Sequence, residues 1–219
     1  MKTHTCTTYK IGELSEKAKK RAIEYARDHF WEFDCKALSD WFQQDLKDHY
    51  GYDNCKVWWS LSYCQGDGVC FEGHPDMEYI AKHDEELAAM LREFKTTLAL
   101  QFPETEEEGW SVEIECNDRC HSTTVSVNCH DYYYDCKEYQ HLSSTIDEWR
   151  IKLEKHLQAR VKTICDEMEE CGYSDIEYQQ TDEALEEWLE ANDGELEPYE
   201  FTKSGKWAWD TEWDEDEED

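Results

Sequence analysis

The stretch Trp58–Gly73 constrains the fold of this chain more than any other. Trp58-Trp59-Ser60-Leu61-Ser62-Tyr63 and Val69-Cys70-Phe71 are short runs of aromatic and β-forming residues. Between them lies Gln65-Gly66-Asp67-Gly68. Its glycines tolerate positive φ, and its aspartate can close a turn through its own carboxylate. Two such runs around a Gly-rich turn predict a β-hairpin at about 55–73. The turn would present Gln65 and Asp67 from a rigid strand pair, with Glu72 on the second strand. Cys64 and Cys70 flank the turn and could face one another across the hairpin. A plain hairpin tip and a binding loop both fit this pattern.

The rest of the chain supplies helices around such strands. Ser15 is placed to cap a helix in which Leu14, Ala18, Ala22, Tyr25, Ala26 and Phe30 recur at helical spacing, after a short edge strand within 5–12. A second helix is expected from about Lys36 to Tyr50, with Leu38, Trp41, Phe42 and Leu46 on one side and Gly51 ending it. From Pro75, the spacing of Met77, Ile80, Leu87, Leu91, Phe94, Leu98 and Phe102 predicts helix with a break near His83-Asp84, stopped by Pro103. Glu104–Gly109 reads as an acidic turn. Alternation at Val112, Ile114, Cys116 and at Val125, Val127, Cys129 predicts paired antiparallel strands over 110–117 and 121–130, joined through Asn117-Asp118, with Tyr132-Tyr133-Tyr134 as a loop or further edge. Thr145 with Glu148 reads as a capping box, opening a helix whose stripe Trp149, Leu153, Leu157, Val161, Ile164, Met168 ends at Gly172. Ile176-Glu177-Tyr178 reads as a short strand, Thr181 as the cap of a last helix, and Tyr199-Glu200-Phe201-Thr202 as extended chain closed by a Ser204-Gly205 turn. The pattern is α+β: a single domain over 1–209 in which several amphipathic helices pack on antiparallel β-hairpins, followed by an acidic, disordered tail at 210–219.

Charge is the second constraint. The net charge is −32, and residues 1–101 carry 13 Lys and Arg against 18 Asp and Glu, whereas 102–219 carry 9 against 36. Such a field repels nucleic acid and anionic membrane and attracts basic protein surfaces. An excess of this size equals the charge on about 16 base pairs of duplex. With 39% hydrophobic and 14% aromatic residues, the chain has the means to build a core, which excludes a wholly disordered protein. No apolar run is long enough to span a bilayer and the N-terminus has no apolar signal core, so the expected setting is the cytoplasm.

The 11 cysteines are then expected as free thiols, core residues or metal ligands rather than as a disulfide framework. Cys116, Cys120-His121, Cys129-His130 and Cys136 form the densest soft-ligand cluster, but the spacing is irregular for structural zinc, and Cys116 and Cys129 share the apolar parity of their strands. No metal or cofactor is therefore expected; any zinc would fall to Cys116, Cys120, His121 and Cys129. Cys64 and Cys70 could form a redox couple, although acidic surroundings do not supply the lowered thiol pKa this needs. His74, His83, His121, His130 and His141 could serve a hydrolase with Asp67 or Glu72, but no catalytic spacing selects among them.

Several segments taken together resemble a known family. Glu13-Leu14-Ser15, Lys17-Ala18-Lys19 and Ala22 are similar to its opening helix; Ser60, Ser62, Gln65-Gly66-Asp67-Gly68 and Phe71-Glu72-Gly73 to its hairpin signature; Tyr178, Thr181-Asp182-Glu183-Ala184, Tyr199-Glu200-Phe201-Thr202 and Gly205 to its C-terminal end. The family is one of small phage and prophage accessory proteins, often labelled antitoxins of toxin–antitoxin systems. The resemblance implies a phage gene product acting in the bacterial cytoplasm and brings no catalytic set with it.

Charge and resemblance lead to one expectation: a non-enzymatic, DNA-mimicking inhibitor that binds a basic host protein or nucleic-acid-binding complex, such as a restriction, CRISPR or other nuclease defence assembly. It would contact neither nucleic acid nor membrane directly. The expected contact residues are Gln65, Asp67 and Glu72 on the hairpin, with Trp207, Trp209, Trp213, Asp214 and Glu215 near the C-terminus, where aromatic residues alternate with acids. Two alternatives stay open: an antitoxin-like neutraliser of a basic toxin, and a small-ligand-binding protein or enzyme using the Gln65–Gly68 loop.

Overall fold

The computed structural model of the chain describes residues 7–101, 109–117, 120–131, 143–191 and 199–209. The expectations for Phe102, Pro103, the turn from Glu104, Asp118, Tyr132–Tyr134, Cys136, His141 and the tail with Trp213, Asp214 and Glu215 lie outside those residues. In chain order the elements are α1 (Glu16–His29), α2 (Cys35–Asp48), β1 (Cys55–Ser60), β2 (Gly68–Gly73), α3 (Met77–His83), α4 (Glu85–Gln101), β3 (Trp110–Cys116), β4 (Val125–Asp131), α5 (Ser143–Gln179) and α6 (Asp182–Ala191). The fold class is α+β, as the sequence pattern indicates. The elements gather into two compact units, Cys35–Tyr173 and Met1–Asp34 with Ser174–Asp219.

The Cys35–Tyr173 unit is built on a four-stranded antiparallel sheet in the order β1-β2-β3-β4. The predicted hairpin is present, with Cys55 opposite Gly73 and Ser60 opposite Gly68. The second predicted pair is present too, from Trp110 opposite Asp131 to Cys116 opposite Val125, although its turn includes a 3-10 segment, Ser122–Thr124, so β4 starts later than expected. Trp110, Val112 and Ile114 of β3 and Val125, Val127 and Cys129 of β4 turn to the core. Facing inward from α5 are Trp149, Leu153, Leu157, Val161, Ile164 and Met168, one residue every three or four.

The predicted break between helices falls at Asp84. Its Oδ1 accepts the Leu87 N–H at 2.9 Å, capping α4, while its Oδ2 lies 2.9 Å from His156 Nε2. Asp76 caps α3 by accepting from the N–H groups of Glu78 and Tyr79.

Both edges of the sheet are covered by glutamines. On β4, Gln158 Nε2 donates to Val125 O at 2.8 Å and its Oε1 accepts from Val127 N at 3.0 Å; Glu154 accepts from Cys129 N at 3.1 Å. On β1, Gln43 of α2 repeats the arrangement with Cys55 O and Val57 N. A carboxamide carries one donor and one acceptor in the relation a neighbouring strand would offer. Each glutamine thus fills the place of a fifth strand, which blunts edges otherwise prone to pairing with other chains.

Five expectations are corrected here. Trp41 is 44% exposed, whereas Leu38, Phe42 and Leu46 are buried: the apolar stripe of α2 is narrower than its sequence suggests. The helix begins at Ser143, so Thr145 lies inside it and is not its cap. Gly172 does not end it either, and Ile176-Glu177-Tyr178 continues α5 as helix. Gly172 is there for closeness: a Cβ on it would lie 2.5 Å from Leu61 Cδ1 and 2.8 Å from Phe42 Cζ. Finally, Cys70 and Cys116 form a disulfide with Cα atoms 6.4 Å apart, where free thiols were expected. A separation of 46 residues gives no hint of proximity; the neighbouring of β2 and β3 brings the two within bridging distance.

In the other unit, Ser15 caps α1 as predicted, accepting from Ala18 N at 3.4 Å, and Thr181 caps α6 through Ala184 N at 3.2 Å. Ala18, Ala22, Ile23 and Ala26 of α1 form a core with Leu185 and Leu189 of α6 and Phe201. The alanines let the two helices approach, and the pairs Lys19–Glu186 and Arg27–Asp182 flank the seam. Tyr9 bridges Phe201, and Phe201 bridges Trp207, which holds the expected extended chain at 199–202. Ile11–Glu13 is a 3-10 helix, however, so the edge strand expected within 5–12 is reduced to the single Tyr9 bridge among the described residues.

Candidate functional site

Loop Leu61–Asp67, between β1 and β2, is organised around one carboxylate. Asp67 Oδ2 accepts from Ser62 N at 2.6 Å, Cys64 N at 2.8 Å and the Tyr173 hydroxyl at 2.6 Å. Its Oδ1 accepts from Ser60 Oγ at 3.3 Å, Ser62 Oγ at 3.1 Å and Cys64 Sγ at 3.1 Å. A carboxylate offers about four lone-pair sites, so no acceptor capacity is left over. Asp67 is 6% exposed. Burial alone would raise its pKa, but the hydrogen bonds from Tyr173, Cys64 and Ser62 outweigh that and hold the carboxyl well below the usual carboxylate range. Tyr173 is pushed up to about 12, first by burial and then by its bond to Asp67.

The same geometry explains the neighbouring residues. Gly68 has φ +155°, and a Cβ there would lie 2.3 Å from the Cys120 carbonyl oxygen, so no side chain fits where the loop re-enters the sheet. Tyr63 sits at φ 57°, a conformation costly for a side-chain-bearing residue, with its ring 4.8 Å from that of Tyr173.

The structure therefore separates the expected contact residues. Asp67 is used internally, and the loop presents Tyr63, Cys64 and Gln65 instead. Glu72 accepts from the Trp58 indole at 3.1 Å and lies opposite Lys56, whose ammonium is 3.6 Å from the centre of the Trp58 ring. Trp207 packs on its own unit, edge-on to Phe30 at 4.6 Å, whereas Trp209 is 75% exposed. The sequence reading missed Tyr63 and Tyr173; the Tyr173 link spans 106 positions and leaves no local signal.

The cysteine and histidine sets do not converge. Cys70 is bonded to Cys116, so neither the Cys64–Cys70 couple nor a thiolate site including Cys116 is formed. Burial pushes the thiols of Cys55, Cys129 and Cys165 up to about 12, the opposite of what a nucleophile or ligand needs. Cys120 is pushed up by burial as well, and His121 Nδ1 accepts from Thr123 N at 3.1 Å. His74 and His130 both face Glu113, at 3.9 and 3.3 Å, and His83 packs on Tyr79. Among the described residues, no group of three or more His, Cys, Asp or Glu is arranged to hold a metal ion.

Carboxylates do converge, on the outer side of α2 and α5. Tyr50 donates to Glu167 at 2.9 Å and is pushed up by burial, by that bond and by the nearby charge of Asp45. The Cys171 thiol is pushed up by burial and then by Asp45, Glu170 and Glu167. Asp166, Glu167 and Glu170 are exposed and Asp45 is half-buried, while the Arg160 guanidinium lies 5.6 Å from the Tyr50 ring centre. Carboxylates of two helices thus meet around Tyr50 and Cys171 with one cation beside them. No described helix is long and apolar enough to cross a membrane.

Residues 25–190 match the model of DUF8835, a domain of unknown function, and the chain belongs to that family. No curated protein and no solved structure matches it.

Proposed function

We propose that the protein binds a basic surface on a host nucleic-acid-handling complex through its displayed carboxylates and so blocks it, as a phage-encoded, DNA-mimicking inhibitor working in the bacterial cytoplasm. The observation that carries this reading is the display of the acidic excess. In a chain of net charge −32, Asp45, Glu167 and Glu170 are gathered from two helices and Asp166, Glu167 and Glu170 are exposed. Helical carboxylates rise by about 1.5 Å per residue, a charge density that can compete with a phosphate backbone. The phage origin rests on the likeness of the Ser60–Gly73 signature and the two ends of the chain to phage accessory proteins.

An enzymatic use of the Gln65–Gly68 loop is disfavoured, because Asp67 is saturated by its own loop and by Tyr173. Exposed Trp209 is the aromatic anchor we assign to the partner interface. The test is the triple neutralisation Asp45→Asn/Glu167→Gln/Glu170→Gln. It should slow association with a captured partner at least tenfold while leaving the melting temperature within a few degrees. Unchanged association would remove this surface from the interface.

A further inference from the structure

In the described residues, three buried polar side-chain atoms have no hydrogen-bond partner: the Tyr52 hydroxyl and the indole nitrogens of Trp110 and Trp207. Of these, Trp110 lines a cavity. The cavity has a volume of about 530 Å³ and lies between α3, α4 and the start of β3, away from the Asp67 loop. Its apolar walls are Met77, Ala81, Ala88, Leu91, Phe94 and Trp110, with Arg92 and Lys95 beside them on α4. Ala81 and Ala88 create the space, since larger residues there would fill it.

We propose that this cavity is a binding site for a flat, apolar small molecule bearing one carboxylate. Its volume is in the range of small-molecule sites, which are apolar with a few placed polar groups. Trp110 is 8% exposed; its indole nitrogen is sealed from solvent, so a ligand in the cavity meets the ring and not the N–H. The ring of Trp110 lies edge-on to Phe94 with centroids 5.3 Å apart, giving a ligand ring an aromatic wall. Lys95 is 3.7 Å from Glu78, whereas Arg92 has no carboxylate partner among the described residues. Asp76 and Glu78 also line the cavity, but Asp76 caps α3 and Glu78 faces Lys95, so the guanidinium of Arg92 is the group placed to take an anion. This site is independent of the acidic surface and of the function proposed for it.

The experiment is calorimetric titration of the full chain with 2-naphthoate and, separately, with uncharged 2-naphthamide. Naphthoate should bind one to one and at least fivefold more tightly than the amide. Arg92→Gln, on an exposed side chain, should weaken naphthoate at least fivefold and leave the amide unchanged. Ala88→Trp should abolish binding of both, with the far-ultraviolet spectrum confirming that this variant is folded. Absence of naphthoate binding at millimolar concentration, equal affinity for the two probes, or indifference to Arg92→Gln would each overturn the proposal.

Discussion

Tyr173 on α5 donates its hydroxyl hydrogen to Asp67 Oδ2 over 2.6 Å, fastening the hairpin loop to a helix 106 positions away. This bond makes Asp67 a structural residue, and it changes what substitution should do. A hydrogen bond to a charged group contributes about 1.5–3 kcal/mol, and Asp67 keeps five other donors when the Tyr173 hydroxyl is removed. We expect Tyr173→Phe to lower unfolding free energy by about 2 kcal/mol in urea titration. Asp67→Ala, which strands five other donors, should cost more. Equal stability of Asp67→Ala and the parent would return Asp67 to the list of presented groups.

The same pair sets a pH dependence. The folded pKa of Asp67 lies below its unfolded value of about 3.9, so its contribution is complete above roughly pH 5 and fades as pH falls through 3.9 toward the folded value. Tyr173 acts in the opposite sense. Its pKa is raised from about 10 unfolded to about 12 folded, so its contribution is present below pH 10 and is lost as pH rises through that window. The stability difference between parent and Asp67→Asn, measured at pH 3, 4 and 6, should narrow at the acid end.

Gln158 tests the guarded edge. Gln158→Leu keeps bulk but leaves Val127 N and Val125 O unpaired, at a cost of about 1–3 kcal/mol. The exposed edge should also promote self-association, read as larger species in light scattering at high protein concentration. A monodisperse variant of unchanged stability would show that the glutamine is not guarding the strand.

For Gly172 two effects compete. Alanine is favoured over glycine within a helix by about 1 kcal/mol, but overpacking costs about 1–3 kcal/mol. Leu61 and Phe42 are themselves buried and cannot retreat from the new Cβ. The overpacking should prevail, giving Gly172→Ala a net loss of about 1 kcal/mol or more by urea unfolding. A gain in stability would reverse that ordering.

The elements legible in the sequence are those whose signals are local. The Gly66-Asp67-Gly68 turn, the caps at Ser15 and Thr181 and the break at Asp84 each depend on residues within one helical turn, and each is where the pattern puts it. The unreadable features are long-range. Ile176-Glu177-Tyr178 is helical because α5 continues past Gly172, where glycine answers the packing of Phe42 and Leu61 rather than ending the helix. The Cys70–Cys116 bridge depends on strand order, which spacing does not encode. Asp67 was legible as the centre of the loop, but not the direction its carboxylate faces, because Tyr173 lies on a distant helix.

The central proposal is that the displayed carboxylates engage a basic, nucleic-acid-binding surface. The most direct measurement is capture of partners from bacterial lysate on the immobilised protein, followed by elution with rising salt or with duplex DNA. At about 0.15 M ionic strength the Debye length is about 8 Å, so binding of this kind weakens steeply beyond it. We expect nucleic-acid-binding proteins to be retained at low salt, released as salt rises, and displaced by duplex DNA. Retention that ignores both salt and DNA, or recovery of no basic protein, would contradict the account.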